Sequence, residues 1–152
     1  CRLIMIPIRS IIVSGVLLSE IEGELKILLM KRVKGDFWCH VAGKIEENET
    51  APQAILREIG EETAIQVKQL FSADYLEQFY EASLNVIEMI PAFVGFCKEN
   101  QLVVLNHEHT EYKWCNLTEA KGLVVFSNQR KLYDFVWENF VLHEPNMMLE
   151  IK

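Results

Sequence analysis

Apolar positions along the chain fall into two kinds of pattern. Segments 8–19 and 25–32 are dense in Ile, Val and Leu and are joined by a polar stretch, 20–24, that contains Gly23. Runs of this length and composition around a glycine predict two strands and a turn. Residues 37–43 predict a short strand ending at Gly43, followed by the polar loop KIEENE. Residues 67–80 and 84–97 predict two longer strands, and 101–105 and 112–115 two further short ones. Helical spacing appears twice. Thr50 and Gln53 form a capping-box signature, Pro52 is tolerated in a first turn, and Ala54, Ile55 and Ile59 give one buried stripe in a helix running to about Thr63. A last helix, about 128–141, is predicted by the stripe Leu132, Phe135, Val136 and Phe140, with Lys131, Asp134 and Glu138 outside it and Ser127 or Asn128 as cap. Several strands with two helices far apart in sequence predict an α/β chain, a mixed sheet with helices packed on its faces.

Composition narrows this picture. At 152 residues, with no Pro/Gly/Ser linker and no repeat, the chain is expected to be one domain over 1–152. Half the residues are apolar (50%) and 24% are charged, which excludes disorder as the main state. Fifteen basic against 22 acidic residues leave a net charge of −7, the wrong sign for a general nucleic-acid binder. A polyanionic small molecule remains compatible, since bound cations reverse the local sign. Cys1, Cys39, Cys97 and Cys115 show no CxxC or zinc spacing and read as buried free thiols. No stretch reaches the ~18 apolar residues of a membrane span, and the start lacks the basic segment and cleavage site of a signal peptide. The expectation is a cytoplasmic protein without a membrane or nucleic-acid partner.

The chemistry concentrates in GKIEENETAPQAILREIGEETAI, residues 43–65. Glu58, Glu61 and Glu62 stand at i, i+3 and i+4, on one face of the predicted helix. Like charges at that spacing repel, and the negative end of the helix dipole adds to the cost. Such a cluster invites a hard divalent cation such as Mg²⁺ or Mn²⁺. Arg57 can pair with one of these carboxylates and orient it. Glu49, ahead of the helix, either complements the helix dipole or joins the acid cluster. Gly43 permits either an unusual backbone angle or a close approach to a ligand. Gly60, inside the helix, costs about 1 kcal/mol against Ala, and close backbone packing would be one reason for it.

The full spacing is Gly43, five residues, Glu49, seven residues, Arg57-Glu58-Ile59-Gly60-Glu61-Glu62, two residues, Ile65. A chance match is expected in well under about one sequence in 10⁵. It resembles the Nudix box, G-x5-E-x7-R-E-U-x-E-E-x-G-U with U apolar. Ala64 departs from it, standing where the pattern has Gly. Ala in a left-handed backbone position costs on the order of 1 kcal/mol.

The resemblance implies a Nudix fold, an α/β/α sandwich around a mixed sheet with the box as loop–helix–loop. It also implies hydrolysis of a nucleoside diphosphate linked to another moiety, with several Mg²⁺ ions in the substrate complex (Mn²⁺ as a substitute). By position, Glu58 and Glu62 are implied as metal ligands, Glu61 as supporting ligand or base, Arg57 as the group that orients the cluster, and Glu49 as part of the acid set. The runs at 36–62, EHTEYKW at 108–114 and SNQR at 127–130 resemble a bacterial Nudix subgroup, the dihydroneopterin triphosphate pyrophosphohydrolases, also described as dATP pyrophosphohydrolases. That likeness implies Glu108 as a further metal ligand, and a small-molecule pterin or nucleotide triphosphate as substrate. The products would be a monophosphate and pyrophosphate. Glu111 is a reserve acid or base. Lys31 and Arg32 are candidate phosphate contacts, Arg32 favoured for its planar fork, against a solvated strand end. Tyr75, Phe79 and Tyr80 are candidate pocket aromatics. Two alternatives stand beside this reading: a Nudix hydrolase of dinucleoside polyphosphates or oxidised nucleotides, and a non-catalytic nucleotide sensor. Homodimers are common in the family.

Overall fold

The computed structural model describes residues 4–152. Cys1 lies outside the described residues. Among the described residues nine strands form one mixed sheet: β1 (Ile8–Arg9), β2 (Ile12–Ile21), β3 (Glu24–Arg32), β4 (Trp38–Cys39), β5 (Val41–Lys44), β6 (Gln69–Glu81), β7 (Val86–Phe96), β8 (His109–Cys115) and β9 (Glu150–Ile151). The spine runs β4-β3-β2-β7-β6-β9, with β1 beside β7, β5 beside β2 and β8 beside β3. Among the described residues five helical segments accompany it: α1 (Ala51–Thr63), α2 (Leu117–Leu123), α3 (Ser127–Val136), a π-turn over Trp137–Val141 that continues α3, and a 3-10 turn over Met147–Leu149.

Local chemistry accounts for the elements. β2 and β3 pair antiparallel with Ile21 opposite Glu24, so the loop between them is two residues. Glu22 and Gly23 both take positive φ (52° and 85°), the type I′ geometry that matches strand twist. β2 is buried from Val13 to Ser19 because it is central and covered on both faces. α1 starts at the expected cap: the Thr50 hydroxyl accepts from the Gln53 N–H, and the Gln53 side chain returns to the Thr50 N–H. It ends at Ala64, which is left-handed (φ 59°) with its N–H bonded to the Gly60 carbonyl.

The core is two layers. Ala54, Ile55 and Ile59 of α1 pack with Val13, Leu17, Leu28, Met30, Val41 and Phe93 on one face. Leu132, Tyr133, Val136 and Phe140 pack with Val16, Leu18, Ile27, Leu29, Phe71 and Val94 on the other. The α/β/α sandwich expected from the sequence is therefore observed.

Four expectations need correction. The predicted strand 37–43 is broken at His40, whose side chain turns into a buried polar network. Residues 101–105 form no strand; Val103 and Leu105 pack beneath α1, and the Val104 N–H satisfies the Thr63 carbonyl at its end. α2 is an unpredicted helix, capped by Asn116 and Glu119 in a second capping box. Neither Ser127 nor Asn128 caps α3: the cap position is Phe126, with no side-chain bond, and α3 yields to the π-turn at Trp137. Cys39, Cys97 and Cys115 are free and buried, with burial raising their thiol pKa values to about 12, 12 and 11. No helix among the described residues is long and apolar enough to cross a membrane.

Candidate active site

The helix α1 sorts its three acids by depth. Ile55, Ile59 and Glu62 share the i, i+4, i+7 stripe that faces the sheet, so Glu62 is carried inside and is 2% exposed. Glu58 borders the stripe, and Glu61 looks outward with its side chain 55% exposed. The Glu58 carboxylate lies against Gly43 so closely that a Cβ there would collide with it. Gly43 has no positive φ. Its value is thus the close approach, and the group approaching is Glu58 of the same chain. Gly60 answers differently from the expectation: a Cβ at that position meets open space, so close packing does not explain it.

Arg57 holds the acids in place. Its Nε and Nη2 donate to the two Glu49 oxygens at 2.6 and 2.9 Å, its Nη1 to Glu58 at 2.8 Å and Glu61 at 3.2 Å, and its Nη2 also to the Lys44 carbonyl. These bonds, the Glu49 one first, raise the Arg57 pKa beyond its already high value and hold the Glu49 carboxyl below its usual range. Glu49 is therefore fully engaged in fixing Arg57 and the box loop.

A second element closes the cluster. β3 and β8 slip register between Lys31 and Arg32, so that Arg32 faces His109 and one residue of β8 bulges. A bulge re-aims side chains. The Asn106 side chain also accepts from the Glu108 N–H, turning the loop. As a result ligand-type atoms of Glu62, Glu108 and His109 lie within 4.8 Å of one another. His109 is 6% exposed, and its Nε2 stands 3.6 Å from a Glu62 oxygen. Burial lowers the His109 pKa, which keeps the imidazole neutral and its nitrogens available. Burial, and then the Glu58 carboxylate, push Glu62 up to about 9. Glu62 Oε2 and His109 Nδ1 are buried without a hydrogen-bond partner. Orphaned acceptors inside an acid cluster fit a divalent cation, which would be bound by oxygen donors of this kind.

A cavity of about 430 Å³ opens on the α3 side of the sheet. Arg32, Phe37, Phe79, Tyr80 and Phe126 line it, with Glu77 and His40 also in its wall. Arg32 lies over the Phe37 ring at 5.6 Å, and its charge also acts on Glu62 and His109. It stands between the acids and the cavity. Tyr75 packs on Phe135, while Phe79 and Tyr80 reach the cavity.

Lys31 and Glu111 stand apart from both features. Lys31 pairs with Glu111 at 3.7 Å and with Asp36 at 3.4 Å, and neither belongs to the cavity wall or to the close Glu62 group. Two groups escaped the sequence reading. His109 is placed by the β8 bulge, which nothing in its own stretch of sequence signals. Glu77 sits among the inward positions Phe71, Ala73 and Tyr75 of β6, so a lone acid on an apolar face was the available signal.

Comparisons with known proteins place the chain by family and fold. The NUDIX domain model matches residues 10–135. The chain is 32% identical over 124 residues to the dihydroneopterin triphosphate diphosphatase of Escherichia coli K12, covering 72% of this chain and 81% of that one. It is 28% identical over 120 residues to the asymmetrical bis(5'-nucleosyl)-tetraphosphatase of Caenorhabditis elegans, covering 77% and 86%. The crystal structure of the E. coli dihydroneopterin triphosphate pyrophosphohydrolase superposes with a TM-score of 0.71 at 26% identity, over 91% of this chain and 99% of that one. With the box complete in its charged residues and the sandwich formed around it, the chain belongs to the Nudix family and is a pyrophosphohydrolase of phosphorus-containing anhydrides.

Proposed function

We propose that the chain is one catalytic domain that hydrolyses a small-molecule triphosphate with Mg²⁺ or Mn²⁺, releasing pyrophosphate and a monophosphate. The substrate class is dihydroneopterin triphosphate or a (deoxy)nucleoside triphosphate such as dATP. The observation that carries the reading is the convergence of buried Glu62, with its orphan oxygen, on Glu108 and His109, with Glu58 acting on Glu62 and with Arg32, whose charge reaches Glu62 and His109, lining the cavity.

Each residue has a role that follows from its place. Glu58, Glu62 and Glu108 would hold the divalent ions, and His109 closes the group. Divalent ions, if held by these residues, would supply charge neutralisation along the phosphates and a more acidic water. Arg32 binds a phosphate oxygen through its planar fork. Glu61 is exposed and already oriented by Arg57, so it can accept the proton of the attacking water. Arg57 and Glu49 keep the carboxylates in register and touch no substrate. Most of the rate enhancement then comes from positioning and electrostatics.

A second reading, hydrolysis of dinucleoside polyphosphates, draws support from the C. elegans relative. A panel separates the two: dihydroneopterin triphosphate, each common (deoxy)nucleoside triphosphate and a dinucleoside tetraphosphate, with Mg²⁺, comparing kcat/KM and counting pyrophosphate and orthophosphate apart. Preference for the pterin with pyrophosphate as product supports the first reading. Preference for the dinucleotide replaces it with the second. Appreciable turnover in excess chelator overturns both metal-dependent readings.

A further inference from the structure

Within the cavity wall one acid is only half used. Glu77 is 7% exposed. Ser14 donates its hydroxyl to Glu77 Oε2, and His40 Nε2 donates to the same oxygen at 3.2 Å. Behind His40, the hydroxyl of fully buried Tyr133 lies 2.7 Å from Nδ1, and burial keeps that hydroxyl protonated. The His40 and Ser14 contacts outweigh the cost of burial and hold Glu77 below its ordinary value, so it is a carboxylate. No described residue donates to its other oxygen, Oε1. A second acceptor in the same wall, Gln129 Oε1, is buried without any partner. The neighbouring Asn128 amide is already spent on the Gln78 carbonyl.

Buried polar groups are almost always paired. A carboxylate kept only to stabilise the fold would have both oxygens satisfied by the chain. Here the donors are gathered on one oxygen, while the remaining acceptors belong to a cavity walled by Phe37, Phe79, Tyr80, Phe126, Ile12 and Ile90. Flat apolar walls suit a heterocycle, and the acceptors in that wall, the Glu77 oxygen left free by Ser14 and His40 and the buried, unpaired Gln129 Oε1, call for ring edges that bring N–H donors.

We propose that Glu77, assisted by Gln129, is the specificity-determining acceptor for the substrate's ring, selecting an edge with adjacent N–H donors. That edge, a ring N–H beside an exocyclic amine, is shared by guanine and the 2-amino-4-oxopteridines. Adenine sets an acceptor nitrogen beside its amine, which would face a carboxylate and repel it. Hypoxanthine keeps the ring N–H and lacks the amine. The inference rests on the hydrolase reading for its substrate class, and it favours a pterin or guanine ring over dATP.

Calorimetric titration of the full chain with guanosine, inosine and adenosine tests it without phosphate, metal or turnover. Guanosine is expected to bind roughly 10- to 100-fold tighter than adenosine, the range for hydrogen bonds to a charged group, with inosine between them. Glu77→Gln should bring the guanosine-to-adenosine ratio towards one, and Gln129→Leu should lower it by a smaller factor. If Glu77→Gln does not fold, the wild-type ratio and Gln129→Leu decide the matter. Equal or adenosine-preferring binding, no guanosine binding up to its solubility, or a ratio unmoved in folded variants each overturns the proposal. The same order is expected in kcat/KM for GTP, ITP and ATP. Guanosine preference without hydrolysis of any triphosphate sinks the triphosphate reading alone; hydrolysis without base preference sinks this inference alone.

Discussion

Glu62 is the residue at which fold and site conflict most directly. Its place on the Ile55–Ile59 stripe buries a carboxylate whose pKa rises from the ordinary 4.5 to about 9. A folded-state value above the unfolded one means that stability is full below about pH 4.5 and is lost as pH rises towards about 9. In excess chelator the melting temperature should therefore fall across that window, and Mg²⁺ should restore it most at the alkaline end. Glu62→Gln should flatten the slope, raise chelated stability by at least about 1 kcal/mol (about 3 °C in Tm) and abolish turnover. A chelated Tm that is flat or rising over this range would show that Glu62 does not carry this cost. Ala64 makes a smaller, local sacrifice. It occupies a left-handed conformation where glycine has no penalty, and its side chain is exposed. Ala64→Gly should stabilise by on the order of 1 kcal/mol with kcat unchanged, read by urea unfolding.

At the scale of elements, legibility followed the source of the information. α1 was readable to the residue because its cap, its stripe and its acids are all local signals. The β2–β3 hairpin was readable from two apolar runs around a glycine turn, and β6 and β7 were readable as strands from their apolar runs, while their pairing was not. The break at His40 was not, since it depends on Tyr133 and Glu77, which are distant in sequence. The bulge of β8 depends on its pairing with β3, and so His109 stayed hidden while Glu108 was visible through motif likeness alone. α3 shows why a cap was misplaced. Its cap position carries Phe126, which lines the cavity instead of bonding the first turn. Ser there would supply the missing acceptor and gain about 1 kcal/mol of stability. Phe126→Ser should thus raise Tm while raising KM for the triphosphate, with kcat little changed. A variant that gains stability and keeps KM would remove Phe126 from the substrate's path.

At the scale of the whole molecule, a chain of net charge −7 gathers Glu62 and Glu108 beside His109 at the place where the proposed triphosphate would dock. Composition alone argues against a general nucleic-acid binder and leaves small polyanions open. Arg32 is the cation between the acids and the cavity, so the rest of the favourable field has to come from bound metal. This fixes the sign of a salt effect. Without metal, repulsion governs the approach of a triphosphate, and raising salt from about 0.01 to about 0.1 M shortens the screening length from ~30 to ~10 Å and weakens that repulsion. Affinity for a non-hydrolysable triphosphate should then increase with salt in chelator. With saturating Mg²⁺ the acids are neutralised, attraction to the metal and Arg32 dominates, and affinity should decrease over the same range. Titrations at the two salt concentrations, with and without Mg²⁺, give the two slopes. Opposite signs place the acid cluster in the path of the phosphates. If affinity falls with salt in both series, the triphosphate meets a positive surface elsewhere, and the assignment of Glu58, Glu62 and Glu108 to the phosphate end of the site fails.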